Sequence, residues 1–310
     1  MSACFGSDPG LPAQAVENWT APVAKNLKPA APLVAQVDQR PEFTRELVEV
    51  RWRDNDPIHL YVLIPKNVSK PPVILYLYNF ATDTGQFLND EFCRILIKNG
   101  VAAVGFASAL SGQRYHDRPM KQWFVSELQE SLGATVHDVP LILDYLASRG
   151  DLDMKHVGMF GDGSGGAITV LAAAADPRIQ AIDLLDPWGD WPEWLAKSKA
   201  VPDEERPNFV TREFLAKVEP LDPIRWLPEL KIPIRMEYLR SDGATPSEAM
   251  EAMKRAAPAQ TLVLAREPAL AEYRATQGAK FLDWIKDQVR AGRRDDSETS
   301  LNRTQENKSK

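Results

Sequence analysis

Short apolar runs of strand length alternate along this chain with longer stretches whose apolar residues recur at helical spacing. "TRELVEVRWR" and "IHLYVLIP" read as two early strands, an antiparallel pair. "PPVILYLYNF" is apolar throughout, as a central strand covered on both faces must be. "GQFLNDEFCRILIKNG" reads as a helix closed by Gly100. "VAAVGFASAL" is the next strand, followed by the polar loop "SGQRYHDRPMKQW". A helical stretch then runs from about Trp123 to Ser148, and Pro140 is predicted to kink or divide it. "HVGMF" is a short strand, and "GGAITVLAAAA" is a helix whose small residues allow close approach to a sheet. "IQAIDLLDP" is another strand, and an irregular helical region rich in Trp and Pro fills about 189–230. "IPIRMEYL" and "QTLVLA" are the last strands; "PSEAMEAMKRAA" lies between them and "FLDWIKDQVR" closes the domain. The alternation predicts an α/β fold, a mostly parallel sheet with helices on both faces.

Composition bounds what this fold can serve. The 310 residues suit one large α/β domain or two small ones. A net charge of −6 and a pI near 5.4 argue against nucleic-acid binding. No apolar run approaches the ~18 residues of a membrane span. Two cysteines, Cys4 and Cys93, make no disulfide framework, no Cys/His spacing suggests a metal site, and Cys93 reads as a core thiol. Residues 1–41 are expected to form a disordered or Pro-rich segment, 42–291 the folded domain, and 292–310 a disordered polar tail. "MSACFGSDPGLPAQ" lacks a basic stretch followed by an apolar one, so a cytoplasmic chain is expected. "SAC" before a Pro-rich stretch resembles the end of a bacterial lipoprotein signal. An exported protein with a true start upstream of Cys4 is therefore the alternative.

The candidate chemistry sits in "GMFGDGSGG", residues 158–166. Strand, sharp Gly-rich turn and helix form the context of a nucleophile loop, G-x-S-x-G. Its central residue has φ > 0, and the positions two before and two after must be small because strand and helix pass close together. With Gly163 central, those neighbours are Gly161 and Gly165; with Ser164 central, one is Asp162, too bulky for the place. The first register is the better one, and it puts no nucleophilic atom at the crest.

Through "HVGMFGDGSGGAITVLAAAADPRI", "LDPIRWLPELKIPIRMEYLRSDGATPSEAM" and "FLDWI", residues 42–290 resemble the α/β-hydrolase superfamily. The branches most similar are the dienelactone hydrolases, acetyl xylan esterases and prolyl oligopeptidase catalytic domains. The resemblance implies a central sheet of about eight strands and a triad in the order nucleophile, acid, histidine. It places the nucleophile at Gly163, where this chain departs from the family. The acid falls at Asp242, which as "SDG" also reads as a turn residue; Asp186 is a weaker alternative. The histidine should follow "QTLVLA", yet no histidine occurs after His156. His116, in the loop after "VAAVGFASAL", is the one histidine expected near the pocket. The oxyanion-hole donors fall at Ser164 and at Asn79 or Phe80, and Asp162, Ser164, Asn79 and Phe80 are the candidate pocket residues.

The expected protein is thus an α/β-hydrolase relative that has lost serine hydrolysis and keeps a pocket for a small carboxylate or ester, or for a protein partner. An active esterase or peptidase-like hydrolase using Ser164, with Asp242 and His116, is the alternative. No cofactor is implied. The Trp-rich "DPWGDWPEW" could line an aromatic pocket, but packing of an irregular cap is the preferred reading.

Overall fold

The structure is a computed structural model that describes residues 17–24, 27–54, 56–80, 82–110, 114, 124–239, 244–266 and 278–292. Its centre is one nine-stranded sheet in the order β1-β2-β3-β5-β4-β6-β7-β8-β9. The strands are β1 (Leu33–Gln39), β2 (Phe43–Val50), β3 (Ile58–Pro65), β4 (Pro72–Leu77), β5 (Ala102–Phe106), β6 (Asp153–Asp162), β7 (Ile179–Leu185), β8 (Ile234–Leu239) and β9 (Leu262–Arg266). β1, β2 and β3 pair antiparallel, β3 meets β5 antiparallel, and every later pair is parallel. β4 lies fifth of the nine, and all its residues are buried, which is why its sequence is unbroken hydrophobe.

Helices cover both faces. On one side lie α2 (Leu128–Arg149) and α3 (Ser164–Ala175), with Leu132, Val136, Ile168 and Leu171 fully buried in the larger core. On the other lie α1 (Asp90–Ile97) and α6 (residues 283–292), which bury Cys93, Leu96, Ile285 and Val289. Asn89 begins α1 by accepting from the N–H groups of Glu91 and Phe92. Between β7 and β8, α4 (Trp191–Lys197) and several other short helices form a cap, and α5 (Ser247–Ala256) joins β8 to β9. Trp188, Trp191 and Trp194 are at most 1 % exposed, so the tryptophans of "DPWGDWPEW" pack the cap on the sheet.

Two elements differ from expectation. The segment expected as linker contributes strand β1, and residues 17–24 are described against α2. Pro140 sits inside α2 and does not divide it. Helix-length burial of its apolar face outweighs the one backbone bond that proline removes.

Candidate functional site

The parallel strands β4 and β6 end side by side, and each hands a turn to the same edge of the sheet. β6 closes at Asp162, Gly163 stands alone at φ 56°, ψ −115°, and α3 starts at Ser164. A side chain at these angles is strained, and glycine removes the strain. The flanking glycines are required by closeness. A Cβ on Gly161 would run into the Gly165 carbonyl and the Thr169 hydroxyl, and one on Gly165 into the Leu77 carbonyl. Gly163 therefore occupies the crest, and Ser164, fully buried, is the first residue of the helix.

The Gly163 carbonyl accepts from the N–H groups of Gly166 (3.0 Å), Ala167 (3.2 Å) and Trp188 (3.1 Å), and its own N–H donates to the Leu185 carbonyl (2.9 Å). The turn is held by the first turn of α3 and by the end of β7 with the residues after it.

Asn79, the second residue after β4, fills the space above the crest. Its Oδ1 accepts from the Ser164 N–H at 3.1 Å and from the Phe80 N–H at 2.9 Å. Two backbone N–H groups at this edge of the sheet, one from each turn, thus converge on this chain's own carboxamide oxygen. The Ser164 hydroxyl also accepts from the Phe80 N–H, at 2.8 Å. A Cβ on residue 163 would meet Asn79 Cγ and Oδ1 at 2.6 Å and Nδ2 at 3.0 Å. The carboxamide thus fills the space that any side chain on residue 163 would enter. Sequence reasoning named Asn79 for its backbone and missed its side chain; only a short polar residue beside an empty crest hinted at it.

Aromatic rings roof this arrangement. Phe80 lies 4.0 Å from Phe124 and 5.8 Å from Trp188 between ring centroids, and Trp188 lies 4.4 Å from Trp194. Asp162 is 6 % exposed at the end of β6. Asp186 ends β7 at φ 43°, and its Oδ1 accepts from the Leu239 N–H at 2.9 Å, a bond that ties β7 to β8.

Three histidines are placed, and none is at the crest. His59 is in β3, 3.7 Å from Glu49. His156 lies at the start of β6, roughly 20 Å of extended strand from Gly163, with Nδ1 on Asp153 at 2.9 Å. His137, in α2, has both ring nitrogens engaged by Glu17 and the Ala21 carbonyl. His116 and Asp242 lie outside the described residues.

Strongly shifted ionisable groups lie away from the turn. Burial raises Asp222 to about 6, although its carboxylate accepts from the Trp191, Asp190 and Ile224 N–H groups. It caps the cap helices, binding their backbone. Burial also raises Asp183 to about 6 despite its pair with Arg235. Among the described residues no group of three or more His, Cys, Asp or Glu side chains is placed to hold a metal, and no helix is long and apolar enough to cross a membrane.

No family model matches the chain, and no curated protein matches it. Solved structures do. An acetyl xylan esterase from Paenibacillus sp. R4 superposes with a TM-score of 0.64 at 16 % identity, over 85 % of this chain and 90 % of that one. Acetyl xylan esterase 1 from Thermoanaerobacterium sp. JW/SL YS485 gives 0.60 at 15 % identity, over 82 % and 88 %. An S-formylglutathione hydrolase from Agrobacterium tumefaciens gives 0.60 at 12 % identity, over 83 % and 99 %. The sheet order, the turn at Gly163 and these likenesses together establish that the chain has the α/β-hydrolase fold.

Proposed function

We propose that this protein is an α/β-hydrolase-fold chain without serine hydrolase activity, working through binding and not through turnover. The observation that supports this most is Asn79. Its carboxamide takes both oxyanion-hole donors and fills the space a nucleophile's Cβ needs. Acyl transfer requires a nucleophile at the crest, a base within hydrogen-bond reach and free donors for the developing oxyanion. Gly163 supplies no nucleophile, the placed histidines supply no base, and the donors are engaged. Loss of a single triad member costs on the order of 10⁴- to 10⁶-fold in rate. A small carboxylate or ester would reach the two N–H groups only by displacing the carboxamide. That exchange swaps one set of hydrogen bonds for another, so binding there depends on what else the ligand touches.

The esterases and hydrolases of similar fold keep hydrolysis through Ser164 as the competing reading. Turnover of short-chain aryl acetates by the wild-type protein and by Ser164→Ala separates the two. The expected result is identical, background-level rates. Wild-type turnover abolished by Ser164→Ala would overturn the proposal.

A further inference from the structure

Residues 17–24 lie along α2, where the Trp19 carbonyl comes so near Gly133 that an added Cβ would meet it at 3.0 Å. The Trp19 ring stacks on His137 with centroids 6.0 Å apart, and the Arg53 guanidinium lies over it at 6.0 Å. Beneath this segment is a buried charge cluster, none of whose side chains is more than 9 % exposed. Arg53 binds Glu17 with two nitrogens, at 2.5 and 2.7 Å, and Asp138 at 2.5 Å. Arg114 binds Asp56 with two nitrogens, at 2.9 and 2.8 Å, and Asp138 at 2.8 Å. Asp56 also lies 3.5 Å from Arg53, and the Trp52 indole donates to Asp138 at 2.8 Å.

Among the described residues three carboxylates, Glu17, Asp56 and Asp138, thus face two guanidiniums, which leaves one negative charge over. His137 closes the count. Its Nδ1 is 2.7 Å from Glu17 Oε1 and its Nε2 is 2.5 Å from the Ala21 carbonyl. A carbonyl oxygen only accepts. Burial opposes ionisation of Glu17, but hydrogen bonds from Arg53 and His137 prevail and hold its carboxyl below the ordinary range, so it too accepts. Two acceptors on one ring require two N–H donors, which only the imidazolium has.

We propose that His137 is a proton-operated latch: its imidazolium pins residues 17–24 to α2, and removing one ring proton releases them. A neutral ring must turn a lone pair toward either Glu17 or the Ala21 carbonyl, and it restores the unbalanced charge. Among the described residues the groups facing His137 are Glu17, the Trp19 ring and the Ala21 carbonyl from the segment, and Arg53 from the turn after β2. Asp138 adjoins it on α2, and Arg114 and Asp56 close the far side of the cluster.

The test combines two measurements on the full chain. Histidine-selective ¹⁵N NMR reads the ring, with the His137 signal assigned by its loss in His137→Gln. Hydrogen exchange of the 17–24 peptide, corrected for intrinsic rates, reads docking. While residues 17–24 are docked both His137 nitrogens are expected to carry protons. Across a pH series, protection of 17–24 is expected to fall about tenfold or more where the ring signal shows one proton lost, the size of one lost hydrogen bond to a charged group. His137→Gln, whose N–H donors sit on a single nitrogen, is expected to show low protection throughout. A singly protonated ring in the docked chain, a ring that keeps both protons at every pH at which the chain is folded, or protection that does not follow the ring signal, overturns the proposal. Should His137→Gln fail to fold, loss of the signal in His137→Asn makes the assignment and the wild-type readings decide.

Discussion

The contact between Asn79 and the crest can be isolated by a double-mutant cycle of Gly163→Ala and Asn79→Ala. Gly163→Ala places a side chain at φ 56°, ψ −115°, which costs on the order of 1–3 kcal/mol in backbone strain. Its Cβ also meets Asn79 Cγ and Oδ1 at 2.6 Å, and crowding of that kind costs a further ~1–3 kcal/mol. Asn79→Ala removes the acceptor shared by Ser164 and Phe80. Phe80 keeps the Ser164 hydroxyl at 2.8 Å, so one buried N–H is left without a partner, at about 1–3 kcal/mol. With both changes the crowding is gone and only strain and the lost bond remain. The double variant is therefore expected to be ~1–3 kcal/mol more stable than the sum of the single losses. Urea unfolding at neutral pH measures all four species. Additivity within about 0.5 kcal/mol would show that the carboxamide does not occupy the crest, and the reasoning would fail.

Two other changes test separate parts of the account. Gly163→Ser is expected to give no aryl-ester turnover, alone or with Asn79→Ala, because none of the histidines among the described residues lies at the crest to act as base; a steady-state rate above the wild-type background in either would contradict this. Lys286, fully buried in α6 with Nζ donating to the Ile95 carbonyl at 2.7 Å, is lowered to about 8 by burial. Its folded value lies below the ordinary ~10.4, so the folded chain binds fewer protons than the unfolded one. The cost of charging it, about 3 kcal/mol, is complete below about pH 8 and is relieved as pH rises toward ~10.4. Lys286→Met is expected to be more stable than wild type at pH ~7, with the gap narrowing by pH ~10 as the wild-type amine is neutralised. A gap independent of pH in denaturant unfolding would refute it.

The fold was readable where burial imposes a pattern. β4 shows as an unbroken apolar run because both its faces are covered, and β2 alternates because only one face is deeply buried. β1 did not show. Its Leu33, Val34 and Val37 are 59 %, 50 % and 49 % exposed, so no periodic signal distinguishes an edge strand from a linker. Pro140 does not divide α2, because its local preference is outweighed by the buried face of that helix. At the turn, the glycine spacing was legible because closeness of strand and helix dictates it. The role of the Asn79 side chain was not, since it follows from space vacated by a residue 84 positions away in the chain.

Intact-mass analysis after incubation with a fluorophosphonate tests the central claim most directly, because the probe needs an activated serine and no knowledge of the substrate. The account predicts an unchanged mass. Stoichiometric addition mapping to Ser164 would show an activated hydroxyl beside the crest, and the non-hydrolytic reading would be wrong.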